Sequence, residues 1–306
     1  MNIASTVAEA RGWLARANRD GARVGLVPTM GALHAGHASL LGRAVAECDP
    51  VVVSIFVNPL QFGPDEDLDA YPRDVDRDLA VIAGRGASLV FAPSPEEMFP
   101  LPAVTTVAVG ALAERLEGAS RPGHFAGVAT VVAKLFNIVG PCRAYFGDKD
   151  FQQLAVVRRM VSDLSFPVEV VGCPIVREPN GLALSSRNRY LGPAERDAAP
   201  VLHRALLEAA TLAATMVAAG QRDAGLVRAR LAQRIDAEPL AELDYAEVVD
   251  ATSLDPVDLL AGDLRLLVAA RFGSARLIDN VGITVPGGVP VDAVRREVPR
   301  SGRDDA

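Results

Sequence analysis

The chain has 306 residues, of which 50% are hydrophobic and 23% charged, and its formal net charge is −7. That length and apolar content suit a globular protein of two domains, since domains run about 100–200 residues. The acidic balance excludes nucleic acid as the main partner, because phosphate backbones select basic faces, yet it permits a small anion held at a local positive site.

The opening stretch MNIASTVAEARGWLARAN has an amphipathic helical pattern over Val7–Asn18 and lacks the apolar h-region of a signal peptide. An apolar, β-branched run over Val24–Val27 predicts a buried strand, ended by Pro28, which has no N–H for a ladder. A glycine-containing turn follows and opens a helix over Ala38–Cys48. Further along, strands are expected at Val51–Val57, Ser88–Phe91, Thr105–Val109, Arg143–Phe146 and Val168–Val171. Between them lie helical patterns at Val75–Arg85, Gly127–Val139 and Phe151–Asp163. Continuous apolar strands alternating with helices imply an α/β fold, a Rossmann-like doubly wound parallel sheet covered on both faces. After Pro174 the pattern changes to Ala-rich helices over Pro193–Ala219 and Ala224–Ala237, with strands at Glu242–Val249, Leu264–Phe272 and Arg276–Asn280. The expected organisation is a catalytic domain over 1–174, a smaller C-terminal α+β lid domain over 175–285 and a disordered Gly/Pro-containing tail over 286–306. No apolar run approaches the ~20 residues of a membrane span, so a cytoplasmic protein is expected. Cys48, Cys142 and Cys173 are widely spaced in apolar surroundings and read as buried thiols, with no CxxC or Cys/His cluster for structural zinc.

The polar residues that stand out fall where these strands end, which is where open α/β sheets bind ligands. The strand–turn–helix at Val24–Leu41 suits a phosphate group, because backbone N–H groups and the positive end of a helix dipole point at the turn. Within it, His34 and His37 add two imidazole donors. Asn58 and Gln61 follow the second strand, where their amides are available to a polar substrate, although Asn58 serves equally well as a turn cap. The acid-rich stretch Asp65–Asp78 reads as a solvated face and is assigned no metal. Arg121 and His124 stand in a Gly/Pro loop as candidate positive contacts. Lys149 and Asp150 stand at a helix start, the wrong end of the dipole for a lysine, which suggests an anion nearby. Gln153 shares their helical face. Ser185, Ser186 and Arg187 offer two hydroxyls and a guanidinium to phosphate oxygens.

His34-Ala35-Gly36-His37 resembles the HxGH signature of nucleotidyl-transferring α/β enzymes. Together with SIFVNPLQF at Ser54–Phe62, EGASRPGHFAGV at Glu117–Val128, GDKDFQQL at Gly147–Leu154 and LALSSRNRYL at Leu182–Leu191, in that order, the chain resembles the pantothenate synthetase (pantoate–β-alanine ligase) family over about residues 24–191. Two departures are Asp148, where glutamate is more familiar, and Leu184, where methionine is common; neither removes a reactive group.

The resemblance implies condensation of (R)-pantoate with β-alanine, driven by ATP with Mg²⁺ through a pantoyl-adenylate, in a homodimer. It implies that Met30, Gly31, Ala32, Leu33, His34, Ala35, Gly36 and His37 line the ATP site with Gly147, Asp148, Lys149, Asp150, Val176, Leu184, Ser185, Ser186 and Arg187. It places Gln61 on pantoate and β-alanine and Gln153 on pantoate, with Asn58, Arg121 and His124 beside them. His37, His34 and Lys149 are the implied catalytic groups, and the metal ligands stay unknown. Two rivals are a nucleotidylyltransferase of the same fold and a nucleotide-binding module without catalysis. The paired neutral amides of Gln61 and Gln153, suited to a small hydroxy acid, weigh against the first. The joint presence of Lys149, both histidines and Arg187 weighs against the second.

Overall fold

The computed structural model describes residues 1–17, 22–63, 68 and 71–286. In chain order the elements are β1 (Asn2–Ala4), α1 (Val7–Ala17), β2 (Gly25–Thr29), α2 (Ala35–Glu47), β3 (Val51–Ile55), α3 (Val75–Ile82), β4 (Leu89–Phe91), α4 (Pro95–Met98), α5 (Glu117–Ser120) and α6 (His124–Val139). There follow β5 (Cys142–Gly147), α7 (Phe151–Asp163), β6 (Val168–Cys173), α8 (Pro193–Ala198), α9 (Val201–Ala218), α10 (Ala224–Asp236), β7 (Glu242–Asp250), β8 (Gly262–Phe272) and β9 (Ala275–Val285). The first six strands form one parallel sheet in the order β1-β4-β3-β2-β5-β6, and the last three form a separate sheet in the order β7-β8-β9, with β7 and β8 antiparallel.

Successive side chains of a strand point to opposite faces, and the parallel sheet has an apolar cluster on each. Leu26, Val52, Leu89 and Ala144 join α1, α6 and α7 on one face, while Val27, Val51, Val53, Val90 and Tyr145 join α2 and α3 on the other. Burial on both faces accounts for the near-continuous apolar runs of the strands. The order of the sheet reverses between β2 and β5. β3 and β4 lie on one side of that pair and β6 on the other, which makes the β2/β5 crevice a topological switch point, the usual ligand position in such sheets.

Several sequence expectations change. β2 continues through Pro28 to Thr29, with Pro28 opposite Ser54. Gly25 N donates to Pro50 O on the β3 side, so the alternation turns residue 28 toward β5, where pairing ends at Leu26 opposite Ala144. The missing N–H therefore breaks no ladder bond. Residues 105–109 form no strand: Val107 N donates to the Thr130 hydroxyl, and Val107 and Val109 pack on the core without a ladder. α3 ends at Ile82, and β1, a three-residue edge strand beside β4, has too little pattern to be read. The Pro193–Ala219 helix is two helices, α8 and α9, parted at 199–200. By length and composition alone the stretch Pro193–Ala218 passes for a membrane span. In α9, however, Leu202, Ala205, Leu206, Ala209, Ala213 and Met216 form the buried stripe of a core helix. Contacts group Met1–Pro200 with Phe272–Ile278 in one unit and the remainder in a second, so the boundary expected near 174 falls inside the first unit. The tail expected to be disordered lies outside the described residues from 287 on.

One close approach fixes the floor of the crevice. At Gly127 on α6 an added Cβ would lie 2.1 Å from Leu60 O and 2.6 Å from Gln61 N. Gly127→Ala must push the 58–61 turn away and is expected to cost ~1–3 kcal/mol. Gly42→Ala, within α2 and with nothing within 4 Å of the new methyl, should instead gain roughly 0.5–1 kcal/mol. Urea midpoints of the two variants moving in the same direction would refute the close-approach argument.

Candidate active site

A cavity of about 240 Å³ lies over the carboxyl ends of β2, β3 and β5. Met30, His34, Gly36 and His37 line it from the β2–α2 connection and the first turn of α2, Asn58 and Gln61 from the turn after β3, Arg121 from the end of α5 and His124 from the start of α6. Gly147, Lys149, Asp150 and Gln153 reach it from β5 and α7, and Val176, Leu184, Ser185, Ser186 and Arg187 from the segment after β6. That last segment is a small loop, with Leu184 N donating to Val176 O and the Ser185 hydroxyl accepting from Arg187 N. Gly31, Ala32, Leu33, Ala35 and Asp148 are not among the lining residues, and Leu33 faces the core under α2.

The spacing of the two histidines has a structural cause. His34 is the N-cap of α2 and His37 its third residue, and together they form a capping box made of imidazoles. His34 Nδ1 accepts from Gly36 N at 3.1 Å, and His37 Nδ1 accepts from His34 N at 3.3 Å. A Cβ on residue 36 would lie 2.8 Å from His34 Cε1, so the ring folds back only over glycine. The two rings are tilted at 43° to each other with centroids 4.2 Å apart. With both Nδ1 atoms accepting, each neutral ring carries its proton on Nε2. Burial, reinforced by the charge of Lys149, lowers the pKa of His34. Burial and then His34 push His37 down to about 3. Both histidines are therefore neutral Nε2–H donors near pH 7.

The positive charge comes from Lys149, Arg187 and Arg121. Lys149 Nζ lies 3.7 Å from an Asp150 oxygen, so part of the charge at the start of α7 is answered within the chain. Burial raises the Asp150 pKa, but Lys149, Arg187, His124 and Arg121 outweigh it and hold the carboxyl below its ordinary value. Its side chain remains half-exposed, so the ionised group opens on solvent.

Asn58 acts chiefly as a cap and a support. It is 1% exposed, its Oδ1 accepts from Leu60 N, and its Nδ2 donates to Gly127 O and to Gln61 Oε1. The Gln61 amide is thereby fixed with its nitrogen toward Met30 Sδ and the cavity. Arg121 Nη1 donates to His124 Nε2 at 3.1 Å, which leaves the ring proton on Nδ1, 2.9 Å from Gln61 O. Those side chains hold the backbone of Gln61 in place. Beside them, Gln152 turns away from the cavity. It accepts from Glu117 N and donates to Leu112 O and Arg115 O, tying down the loop before α6. Glu117 in turn makes a two-bond pair with Arg276, both contacts 2.7 Å.

Sequence reasoning missed two sets of residues. The apolar wall of Phe56, Phe62, Tyr71, Val131, Val132 and Leu135 carries no signal, because α6 is buried nearly all round and its cavity-facing residues look like core. Asp78, read as solvated, is 2% exposed. Its position four residues before Ile82, on the buried face of α3, was the available clue.

The family model described as Pantoate-beta-alanine ligase matches residues 2–282. A pantothenate synthetase of Moorella thermoacetica is 51% identical over 285 residues, 93% of this chain and 99% of that protein. One of Roseiflexus castenholzii is 54% identical over 280 residues, covering 92% and 98%. Among solved structures, pantothenate synthetase of Thermus thermophilus superposes with a TM-score of 0.85 at 52% identity, covering 92% of this chain and 99% of that one. A Francisella tularensis pantoate-beta-alanine ligase, complexed with Beta-gamma ATP and Beta-alanine, gives 0.74 at 32% identity, covering 92% and 97%.

The two buried neutral rings make a prediction about pH. The folded pKa of His37 is about 3 against 6.5 when free, and that of His34 is lowered too, so the folded state binds fewer protons. Their contribution to stability is fully present above pH 6.5 and is lost as pH falls from there toward about 3. The melting temperature of the substrate-free protein should fall less steeply over that window in His37→Asn than in the parent. Parallel curves would show that the ring is not held neutral.

Proposed function

The chain belongs to the pantoate–β-alanine ligase family, which condenses pantoate with β-alanine, and from that premise we propose that ATP drives the reaction through a pantoyl-adenylate. The observation that carries this reading is the convergence, in one cavity, of two neutral Nε2–H donors, Lys149 and the Ser185-Ser186-Arg187 run. A pantoate carboxylate oxygen would attack the α-phosphorus while diphosphate leaves, and negative charge would build on the α-phosphate oxygens. His34, His37 and Lys149 would donate to those oxygens, and donors already fixed in place need little reorganisation. Ser185, Ser186 and Arg187 would hold the departing diphosphate. The β-alanine amine would then attack the acyl carbon and release AMP, its excess proton leaving to solvent. Gln61 and Gln153 would bind the hydroxyls and carboxylate of pantoate, and its two methyl groups match the wall of Val131, Val132 and Leu135.

Among the described residues no group of three or more His, Cys, Asp or Glu side chains could hold a metal. A magnesium ion that arrives on the triphosphate needs only one or two protein carboxylates, and the ionised, half-exposed Asp150 fits that demand. Bound there, the ion would neutralise charge on the phosphates. The same reading makes the enzyme a cytoplasmic homodimer.

With ATP, Mg²⁺ and pantoate, the enzyme should exchange labelled diphosphate into ATP in the absence of β-alanine; a strict requirement for β-alanine would exclude a free adenylate step. Lys149→Ala should reduce that exchange ~10²–10³-fold and change ATP binding far less. A variant exchanging at the parent rate would remove Lys149 from the mechanism. Gln153→Ala should weaken pantoate much more than ATP, since a neutral amide gives donors and an acceptor to a hydroxy acid. Equal rises in both Michaelis constants would contradict that division of the cavity.

A further inference from the structure

Before α2 begins, the chain passes through Gly31 at φ 81° and Ala32 at φ 51°, two successive left-handed residues. Such a turn points consecutive N–H groups inward and forms a small anion-binding concavity. In nucleotide enzymes this is where a phosphate is expected, and the sequence pattern suggests as much here. The turn already holds an anion supplied by the chain. Asp78, on α3 and 2% exposed, accepts from Ala32 N at 2.9 Å with one carboxylate oxygen and from Leu33 N at 2.7 Å with the other. Gly31 N is taken by the Thr29 hydroxyl, which itself donates to Ser54 O. Every N–H from Gly31 to His34 thus has an acceptor within the protein, the last being His37 Nδ1.

We propose that Asp78 is a positioning residue for the reaction: it fills the concavity of the β2–α2 turn in place of a phosphate and holds Ala32 left-handed, so that His34 enters α2 as its imidazole cap. Three physical facts support this. A left-handed alanine costs on the order of 1–2 kcal/mol and persists only where its surroundings impose it. A buried carboxylate needs hydrogen bonds to each oxygen, and the turn provides them. Asp78 also lies in the first turn of α3, where the helix dipole favours a negative charge. The consequence is that the nucleotide's phosphates meet imidazole, ammonium and hydroxyl groups and not the amides of residues 31–33. The inference rests on the reading above, that His34 and His37 act at the α-phosphate.

The test uses Asp78→Asn, which keeps the shape but sets an NH₂ group against one of the two N–H donors. With rates measured well below its melting temperature, kcat should fall roughly 10–100-fold, the cost of a misplaced catalytic group, while the Michaelis constant for pantoate stays within about twofold of the parent. If Asp78 served stability alone, the melting temperature would drop and kcat would not, and the proposal would fail. Gly31→Ala supplies an independent probe, since its methyl would lie 2.7 Å from Asp78 Oδ2 and displace the carboxylate without removing its charge. The two substitutions should be non-additive, with the double variant no slower than the worse single one; additive losses would separate the two residues and overturn the shared mechanism. Should neither variant fold, amide exchange in the substrate-free parent decides. The amides of Ala32 and Leu33 should be protected before any nucleotide is added, and exchange at open-loop rates would refute the clamp. Failure of diphosphate exchange in the parent would refute the functional reading and leave these amide measurements untouched.

Discussion

The site depends on the hydrogen bonds that close the first turn of α2. An N-cap must accept from the N–H groups of that turn, and here imidazole nitrogens do so. The helix thereby acquires its cap, and the two rings acquire a fixed tautomer. Were Nδ1 of either ring free to exchange its proton, the ring could turn either nitrogen to the cavity. Because both are committed to backbone N–H groups, only Nε2–H faces outward. The HxGH spacing is thus the N-cap-to-N3 distance of a helix, with glycine where the first ring must lie flat. Lys149 carries the charge that these neutral groups lack, and it reaches them because β2 and β5 are neighbours at the reversal of strand order.

Around this core the polar side chains work in two layers. Gln61 faces the cavity, but its amide is aimed by Asn58 and its backbone is held by His124 and Arg121. Gln152 and Gln153 are adjacent on α7 and point to opposite duties, one fastening the loop at 112–117, the other lining the cavity. Such supports determine how accurately the donors are placed, and small displacements of a reacting group are costly.

The parallel sheet and the motif-bearing strand ends were legible because both follow from local pattern: apolar runs, glycine turns and residues of unusual chemistry. Less legible was everything that depends on the partner of a residue. Pro28 reads as a strand terminator, and only the early end of the β2–β5 ladder shows why it is tolerated. The run at 105–109 has strand-like residues but rests on the Thr130 hydroxyl and the core and joins no ladder. Asn58 reads in the sequence as either a ligand or a turn cap, and only its neighbours show that it is spent on internal hydrogen bonds, which present Gln61 to the cavity. The acid-rich stretch Asp65–Asp78 includes one, Asp78 in the first turn of α3, whose role is visible only once the turn above it is folded. In each case the sequence shows what a side chain can do, and the neighbour decides which of those things it does.

The pair between Glu117 and Arg276 bears on how the chain is made. Both side chains are largely buried, and an acid of that kind left without its cation is strongly destabilising. Yet Arg276 belongs to the short segment Phe272–Ile278 that rejoins the unit formed by the first 200 residues. At about 5–20 residues per second of synthesis, the unit built from the N-terminal residues waits several seconds for its last ion pair. Until then Glu117, in the loop leading to α6, lacks its two-bond pairing with Arg276, and the half-made chain is more open to proteases and chaperones than its length suggests. A nascent chain stalled after Pro200 holds every lining residue of the cavity but lacks the cation that anchors one wall.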